Sequence, residues 1–374
     1  MSLLSICIPT YNRAERVCSL VKNILICDSD DFCIEVFDNC SSDNTIELLN
    51  QINSKKLIVH KSDNNIGAIP NWMRALFSSK SKYAMIILDR DILNVEVLPR
   101  LINYLSENEI AFLKCNSSSE RPNELYNSGL ESLKKIAYLD HPSGRVYNVE
   151  ILKKNLKQSD YSYIDDPWIY YDSFLACDLV MFGKGGIFGG KVWDYCQQNF
   201  KIKSKSNFGQ NIESGIVKNN NNGKLERSWW HYKFTTNSMK STLNKLLYND
   251  PFLEKLTDDE KTELAFHIVN FYFYRLQNDK IVSTLMKDEY IHYDLIPRRV
   301  TFVEMLKGFN YFVKNVMTFP EDYIMKSVKL KMKKRIFIYI AKLIKQNMIV
   351  DFKALYKKKV EVTLLKRILW EKVL

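Results

Sequence analysis

Nowhere does this chain hold the roughly 18 to 20 continuous apolar residues that a helix needs to cross a bilayer, which excludes a helical membrane span. It also lacks a charged start followed by a short apolar stretch, because Met1 to Ile8 runs directly into what reads as a buried strand. The folded body is therefore expected to face the cytosol. None of the eight cysteines, all between Cys7 and Cys196, stands in the close paired spacing of a zinc site. Several fall on expected strands or helices, so reduced, packed thiols are anticipated. No internal repeat is present. One near-motif fails for a chemical reason: Gly185-Gly186-Ile187-Phe188-Gly189-Gly190-Lys191 comes close to a P-loop, but Val192 stands where a Ser or Thr hydroxyl must meet Mg²⁺. No hydrophobic strand precedes it either, and a tight glycine turn is the expectation there.

What is present is a globular composition. The 374 residues are 46% hydrophobic, enough to bury a substantial core, and the length suits one large domain with a smaller one. The first ninety residues alternate short apolar runs with helical patterns. Leu3 to Ile8 reads as a strand and is followed by a helix carrying Val17, Leu20, Val21, Ile24 and Leu25. Cys33 to Phe37 and Lys56 to His60 read as further strands, followed by helices that include Ile46, Leu49 and Ile52, and then Ala68 to Ser78. Such alternation implies an α/β domain with a mostly parallel sheet, flanking helices and right-handed crossovers.

The fourth apolar run, Tyr83 to Leu88, delivers Asp89-Arg90-Asp91. In open α/β sheets ligands bind beyond the carboxyl ends of strands, and alternate residues of an extended segment point the same way, so the two carboxylates are expected to converge on one cation. Hard oxygen ligands favour Mn²⁺ or Mg²⁺, completed by phosphate oxygens of a nucleotide. The loops at the preceding strand ends are polar, and Asp38 is placed to accept from a base or ribose. Turn formation and helix capping explain Asp38, Ser41 and Asp43 equally well, and both roles can coexist.

Taken in order, Ile6-Cys7-Ile8-Pro9-Thr10-Tyr11-Asn12, Val36-Phe37-Asp38-Asn39-Cys40-Ser41-Ser42-Asp43, Asn65-Ile66-Gly67 and Asp89-Arg90-Asp91 resemble the donor half of family 2 glycosyltransferases with the Rossmann-like GT-A fold. The resemblance implies a nucleotide-sugar pocket lined by Pro9, Thr10, Tyr11, Asn12, Arg13, Asp38, Asn39, Asn65, Gly67, Asp89 and Arg90. It implies metal at Asp89 and Asp91, with His231 in Trp229-Trp230-His231-Tyr232 added as a ligand to the metal or diphosphate. It implies sugar transfer with inversion, which needs a carboxylate base on the acceptor side. Family members usually show an acidic pair opening a helix that ends about three turns later at a glycine. Asp172 has the matching distance to Gly183, although Tyr171 replaces the first acid, and Asp166 in the literal pair Asp165-Asp166 competes for the role. Asp160 and Asp178 lie in the same acidic stretch, where helix capping is the plainer explanation. Pro142-Ser143-Gly144-Arg145 matches the place of a glycine-bearing loop that closes over donor and acceptor.

The resemblance covers residues 1–235, divided into a nucleotide-sugar half over 1–115 and an acceptor-side half over 116–235. Residues 236–374 are expected to form a helical C-terminal domain. Thr257-Asp258-Asp259-Glu260 has capping-box spacing ahead of Leu264, Ile268, Phe271 and Tyr272. Residues 326–374 hold 15 Lys or Arg and three acids, and their surplus of +12 leaves the rest of the +11 chain close to neutral. Phe337, Ile340, Ile344 and Met348 recur at helical spacing among these lysines, as in a helix lying on an anionic membrane surface, and Leu364 to Trp370 adds a second such stretch. A helical bundle with solvated lysines fits the same pattern. No nucleic-acid recognition motif accompanies the charge. The expected function is metal-dependent transfer of a sugar, from a uridine-linked donor, to a glycan or lipid-linked glycan in bacterial surface polysaccharide synthesis (capsule, O-antigen or lipooligosaccharide). The alternative is a transferase-like binding module without turnover. Sugar identity, acceptor, linkage and oligomeric state, a homo-oligomer included, stay open.

Overall fold

The structure, a computed structural model, describes residues 2–116, 120–136, 141–161, 171–195, 236–277, 311–319 and 322–350. The chain divides into two compact units, Met1–Glu213 and Ser214–Leu374.

The first unit is built on an eight-stranded sheet in the order β3-β2-β1-β4-β8-β6-β9-β7. At its centre is β1 (Leu4–Thr10), buried at every position, with β2 (Phe32–Asp38) and β4 (Tyr83–Ile86) parallel on its two sides. A strand covered on both faces needs a nearly continuous apolar run, and this requirement is what makes these segments legible. The edge strand β3 (Leu57–Lys61) is parallel to β2. Between β1 and β2, α1 (Ala14–Ile24) buries Val17, Leu20, Val21 and Ile24, spaced as one helical face demands. The short α2 (Thr45–Asn50) buries Leu49, and α3 (Ala68–Ser78) buries Met73, Ala75 and Leu76. The expected strand-helix alternation is present in all three units that lead to β4.

The chain runs outward from β1 to β2 and β3, then returns across the sheet to place β4 on the opposite side of β1. That reversal opens a crevice between the carboxyl ends of β1 and β4, the general location of ligand sites in such sheets. Beyond β4 the sheet becomes mixed. After β5 (Asp91–Leu93) and α4 (Leu98–Glu107), β6 (Phe112–Asn116) and β8 (Arg145–Asn148) continue the sheet, β8 antiparallel to both β4 and β6. The sheet ends with β9 (Gly185–Lys191), parallel to β6, and β7 (Glu124–Tyr126), antiparallel to β9. A separate two-stranded ribbon pairs β5 with β10 (Trp193–Tyr195). Helices α5 (Leu130–Ile136), α6 (Val149–Asn155) and α7 (Tyr171–Leu179) complete this unit.

Two expectations are corrected here. The glycine-rich segment is the strand β9, not a tight turn. Its glycines serve close approach: a Cβ on Gly189 would lie 1.8 Å from the Arg121 carbonyl oxygen, and one on Gly186 would lie 2.8 Å from that of Glu124. The fourth strand stops at Ile86 rather than Leu88. The Leu88 N–H donates to Ser143 Oγ at 3.0 Å instead of to a strand neighbour, and Leu88 to Asp91 forms a turn closed by the Asp91 N–H on the Leu88 carbonyl at 3.0 Å. The cysteines behave as anticipated: all seven described ones are free, and burial pushes the Cys7 and Cys115 thiols up.

In the second unit the helix Asp258–Gln277 opens on the expected capping box, with the Thr257 N–H donating to Glu260 Oε2 at 2.9 Å and the Glu260 N–H to Thr257 Oγ1 at 3.3 Å. Leu264, Ile268 and Tyr272 are buried, while Phe271 is half-buried. This helix packs against Tyr323–Val350, which buries Met325, Val328, Met332 and Ile336 along one stripe. Arg335 donates to Asn270 and lies over the Phe266 ring at 4.9 Å. The amino-terminal half of the basic segment is thus part of a helix bundle. Side chains at 337 and 339–350 lie outside the described residues, as do 351–374. Among the described residues no helix is long and apolar enough to cross a membrane.

Candidate functional site

The crevice at the β1–β4 reversal is lined by loops bonded to one another. Thr10, the last residue of β1, donates from Oγ1 to Asp89 Oδ2 at 2.8 Å. The other oxygen of Asp89 receives Arg13 Nη1 at 2.6 Å, an ion pair in which the carboxylate is buried and the guanidinium is about a quarter exposed. The backbone around Arg13 is held from elsewhere. Asn12 adopts a left-handed φ of 51°, and its Oδ1 accepts the Ser42 N–H at 2.7 Å. Asp43 accepts the Ala14 N–H at 3.3 Å, so the first turn of α1 is capped across space by the next loop rather than by its own N-cap residue.

A second group surrounds Asp38 at the end of β2. Its Oδ2 accepts the Ser41 N–H at 3.0 Å, whereas the buried Oδ1 has no hydrogen-bond partner among the described residues. Arg74 of α3 donates from Nη2 to the Asp38 carbonyl at 2.8 Å, and burial lowers the pKa of this guanidinium against the opposing pull of Asp38. Asn39 donates to Asn65 Oδ1 at 2.9 Å, and the same oxygen accepts the Gly67 N–H, shaping the loop into α3. Gly67 has φ of 89° at the helix N-cap, where a side chain would be strained.

Asp91 belongs to a third group. Its Oδ2 accepts the Ser143 hydroxyl and lies 3.7 Å from His141 Nε2. The His141 ring stacks on Trp193 at 4.4 Å and 15°, and Trp193 Nε1 donates to the Cys115 carbonyl. Gly144 is obligatory here, because φ is 76° and a Cβ would stand 2.4 Å from the Trp193 ring. Arg145, fully buried, donates from Nε to the His141 carbonyl at 2.9 Å and from Nη1 to Ser173 Oγ of α7 at 3.3 Å. The loop beneath Asp91 is therefore tied to the helix that carries Asp172.

Of the anticipated residues, Thr10, Arg13 and Asp89 are bonded to one another and Pro9 precedes Thr10 in β1, whereas Asp91 is held separately by Ser143; Asp38, Asn39, Asn65 and Gly67 lie on the neighbouring strand ends. Tyr11 and Asn12 lie in the loop leaving β1, where Asn12 latches the next loop through its side chain. Arg90 sits exposed at the tip of the Leu88–Asp91 turn. That turn means the two carboxylates are held by different partners rather than side by side on an extended strand. Asp172 is placed at the start of α7, with only its backbone described; Asp166 and His231 lie outside the described residues. Asp178 is buried and accepts from the Tyr161 hydroxyl, a structural role. Arg74 and His141 were not anticipated. The sequence signal for His141 is its position directly before Pro142-Ser143-Gly144-Arg145.

A parallel sheet with its reversal at β1 and β4, a carboxylate turn at that reversal and a mixed-sheet second half give the first unit a GT-A-like fold. Residues 5–156 match the family described as glycosyl transferase family 2. Solved structures agree in fold. S. aureus TarS 1–349 is similar with a TM-score of 0.52 at 15% identity, over 86% of this chain and 82% of that one. The same TarS segment in complex with UDP-GlcNAc gives 0.53 at the same identity and coverage. No curated protein matches the chain.

Proposed function

We propose that this chain transfers a sugar, with inversion, from a uridine diphosphate-linked donor to a hydroxyl of a glycan acceptor presented on a lipid. The observation that carries the reading is the mutual bonding of Thr10, Arg13 and Asp89 across the β1–β4 crevice, with Asp38 one strand away. Asp38 Oδ1 is a buried acceptor awaiting an N–H, and uracil N3–H supplies one. The fold shared with a TarS structure holding UDP-GlcNAc supports the same choice.

The donor set suits Mn²⁺ or Mg²⁺. Asp89 and Asp91 are 4% and 3% exposed, and among the described residues no group of three His, Cys, Asp or Glu side chains exists to chelate an ion. Asp89 and Asp91 would hold such a cation only together with diphosphate and water oxygens, as is common for Mg²⁺. Asp91 is the proposed principal ligand, because the Asp89 carboxylate is neutralised by its ion pair with Arg13. When bound, the cation supplies charge neutralisation for the departing diphosphate. His231 is the proposed further contact to the cation or diphosphate. Asp172 is the proposed base that takes the acceptor proton, with Asp166 as its competitor.

The second unit supports a lipid-linked acceptor at an anionic membrane surface. Along Tyr323–Val350 the solvent side holds Lys331, Lys333, Lys334 and Arg335 beside Leu330, 73% exposed, and Ile338, 45% exposed. Incubating the purified chain with Mn²⁺ and a panel of nucleotide sugars should release nucleotide diphosphate from uridine-linked donors. No release from any donor contradicts the enzyme reading. Lys333→Glu with Lys334→Glu should weaken sedimentation with anionic liposomes, and binding equal to wild type removes the membrane assignment.

A further inference from the structure

The geometry points to His141 as a positioning residue for Asp91, acting through an imidazole whose tautomer the fold selects. The inference rests on the reading that Asp91 holds the cation.

Both donors of Ser143 have fixed destinations. The Ser143 N–H donates to His141 Nδ1 at 3.2 Å, so Nδ1 carries a lone pair and the proton of the neutral ring sits on Nε2. Nε2 faces Asp91 Oδ2 at 3.7 Å. The Ser143 hydroxyl oxygen accepts the Leu88 N–H at 3.0 Å, which turns its own proton toward the same Asp91 oxygen. One residue therefore sets the imidazole tautomer with its backbone and bonds the carboxylate with its side chain. The ring cannot drift, since it is stacked on Trp193 and its own carbonyl is held by buried Arg145. With its proton on Nε2, His141 turns an N–H rather than a lone pair toward Asp91 Oδ2, from 3.7 Å, longer than a hydrogen bond, and so acts on the carboxylate through space and not as a metal ligand. Its effect is to keep the carboxylate in one orientation and lower the cost of arranging it around a cation. Outer partners of this kind commonly change metal affinity by about 10- to 100-fold when removed.

The two ring nitrogens can be tested separately by titrating Mn²⁺ into the full chain in the presence of UDP, following free Mn²⁺ by electron paramagnetic resonance. His141→Gln places an amide nitrogen near the Nε2 position and should bind Mn²⁺ within about threefold of wild type. His141→Asn keeps an acceptor for the Ser143 N–H but removes the nitrogen turned toward Asp91, and should weaken Mn²⁺ binding about 10-fold or more. A residue that merely anchors the loop gives the reverse order, with Asn near wild type and Gln impaired, and that order overturns the proposal. So does equal binding by both variants and wild type. In an Asp91→Asn background, His141→Asn should have no further effect. Asp91→Ala distinguishes the two levels: if it binds Mn²⁺ as wild type does, or if wild type binds none, the cation reading itself fails. If Asp91→Ala alone loses the metal, only the role of His141 is refuted. Thermal melting of each variant confirms that the fold is retained.

Discussion

Arg13 and Asp89 form a 2.6 Å ion pair across the crevice where the chain reverses, joining the start of α1 to the turn after β4. The carboxylate is almost fully buried and the guanidinium only partly so, which makes the loss of each partner unequal. Arg13→Gln leaves Asp89 with Thr10 and whatever water reaches it. The expected cost is about 1–3 kcal/mol in urea unfolding, at the scale of a hydrogen bond to a buried charge. A midpoint unchanged from wild type would show that the pair contributes nothing net.

Gly189→Ala tests the corrected reading of the glycine-rich segment. The added methyl meets the Arg121 carbonyl oxygen at 1.8 Å, a backbone atom that cannot rotate away. Destabilisation of about 1–3 kcal/mol or more is expected, measured by thermal or denaturant unfolding. A turn at this position would tolerate alanine.

Glu35 gives a pH dependence with a defined sign. Burial on β2 pushes its pKa up, but hydrogen bonds from His60 at 2.8 Å and Ser5 at 2.6 Å outweigh this and leave it below the ordinary carboxylate value. The stabilisation is present above the unfolded-state pKa and is lost as pH falls through the folded one. Unfolding free energies measured from pH 7 down to pH 3 should fall less steeply for Glu35→Gln than for wild type. Parallel curves would remove Glu35 from the acid limb.

Asp172→Asn should retain binding of a uridine-linked donor and lose turnover by orders of magnitude, because deprotonation of the acceptor hydroxyl loses its base. Isothermal titration with the donor and a single-turnover assay separate the two effects. Unchanged turnover transfers the assignment to Asp166.

The elements legible in sequence were those whose residues carry their own instructions. β1 and β2 show as nearly continuous apolar runs, interrupted by Ser5 and Glu35, because both faces are covered, α3 falls at 68–78 as expected, and the capping box at Thr257 is a local pattern. The remainder depends on partners far along the chain. β4 ends early because Ser143, 55 residues on, takes the Leu88 N–H. β9 requires glycine because Arg121 and Glu124 press on its backbone, and no local period records that pressure. The residues at the β1–β4 crevice were singled out from their strand ends. Their division of labour, Asp89 with Thr10 and Arg13 and Asp91 with Ser143, was not visible, since it arises from a turn that an extended reading replaces with a straight strand.

The most direct test of the account is the thermal midpoint of the full chain with and without a uridine diphosphate sugar in the presence of Mn²⁺. A ligand bound only by the native state raises the midpoint. The account predicts a rise for wild type that depends on Mn²⁺ and disappears in Asp91→Ala, with the ligand-free midpoint little changed. No rise with any nucleotide sugar, or an equal rise in Asp91→Ala, would contradict it.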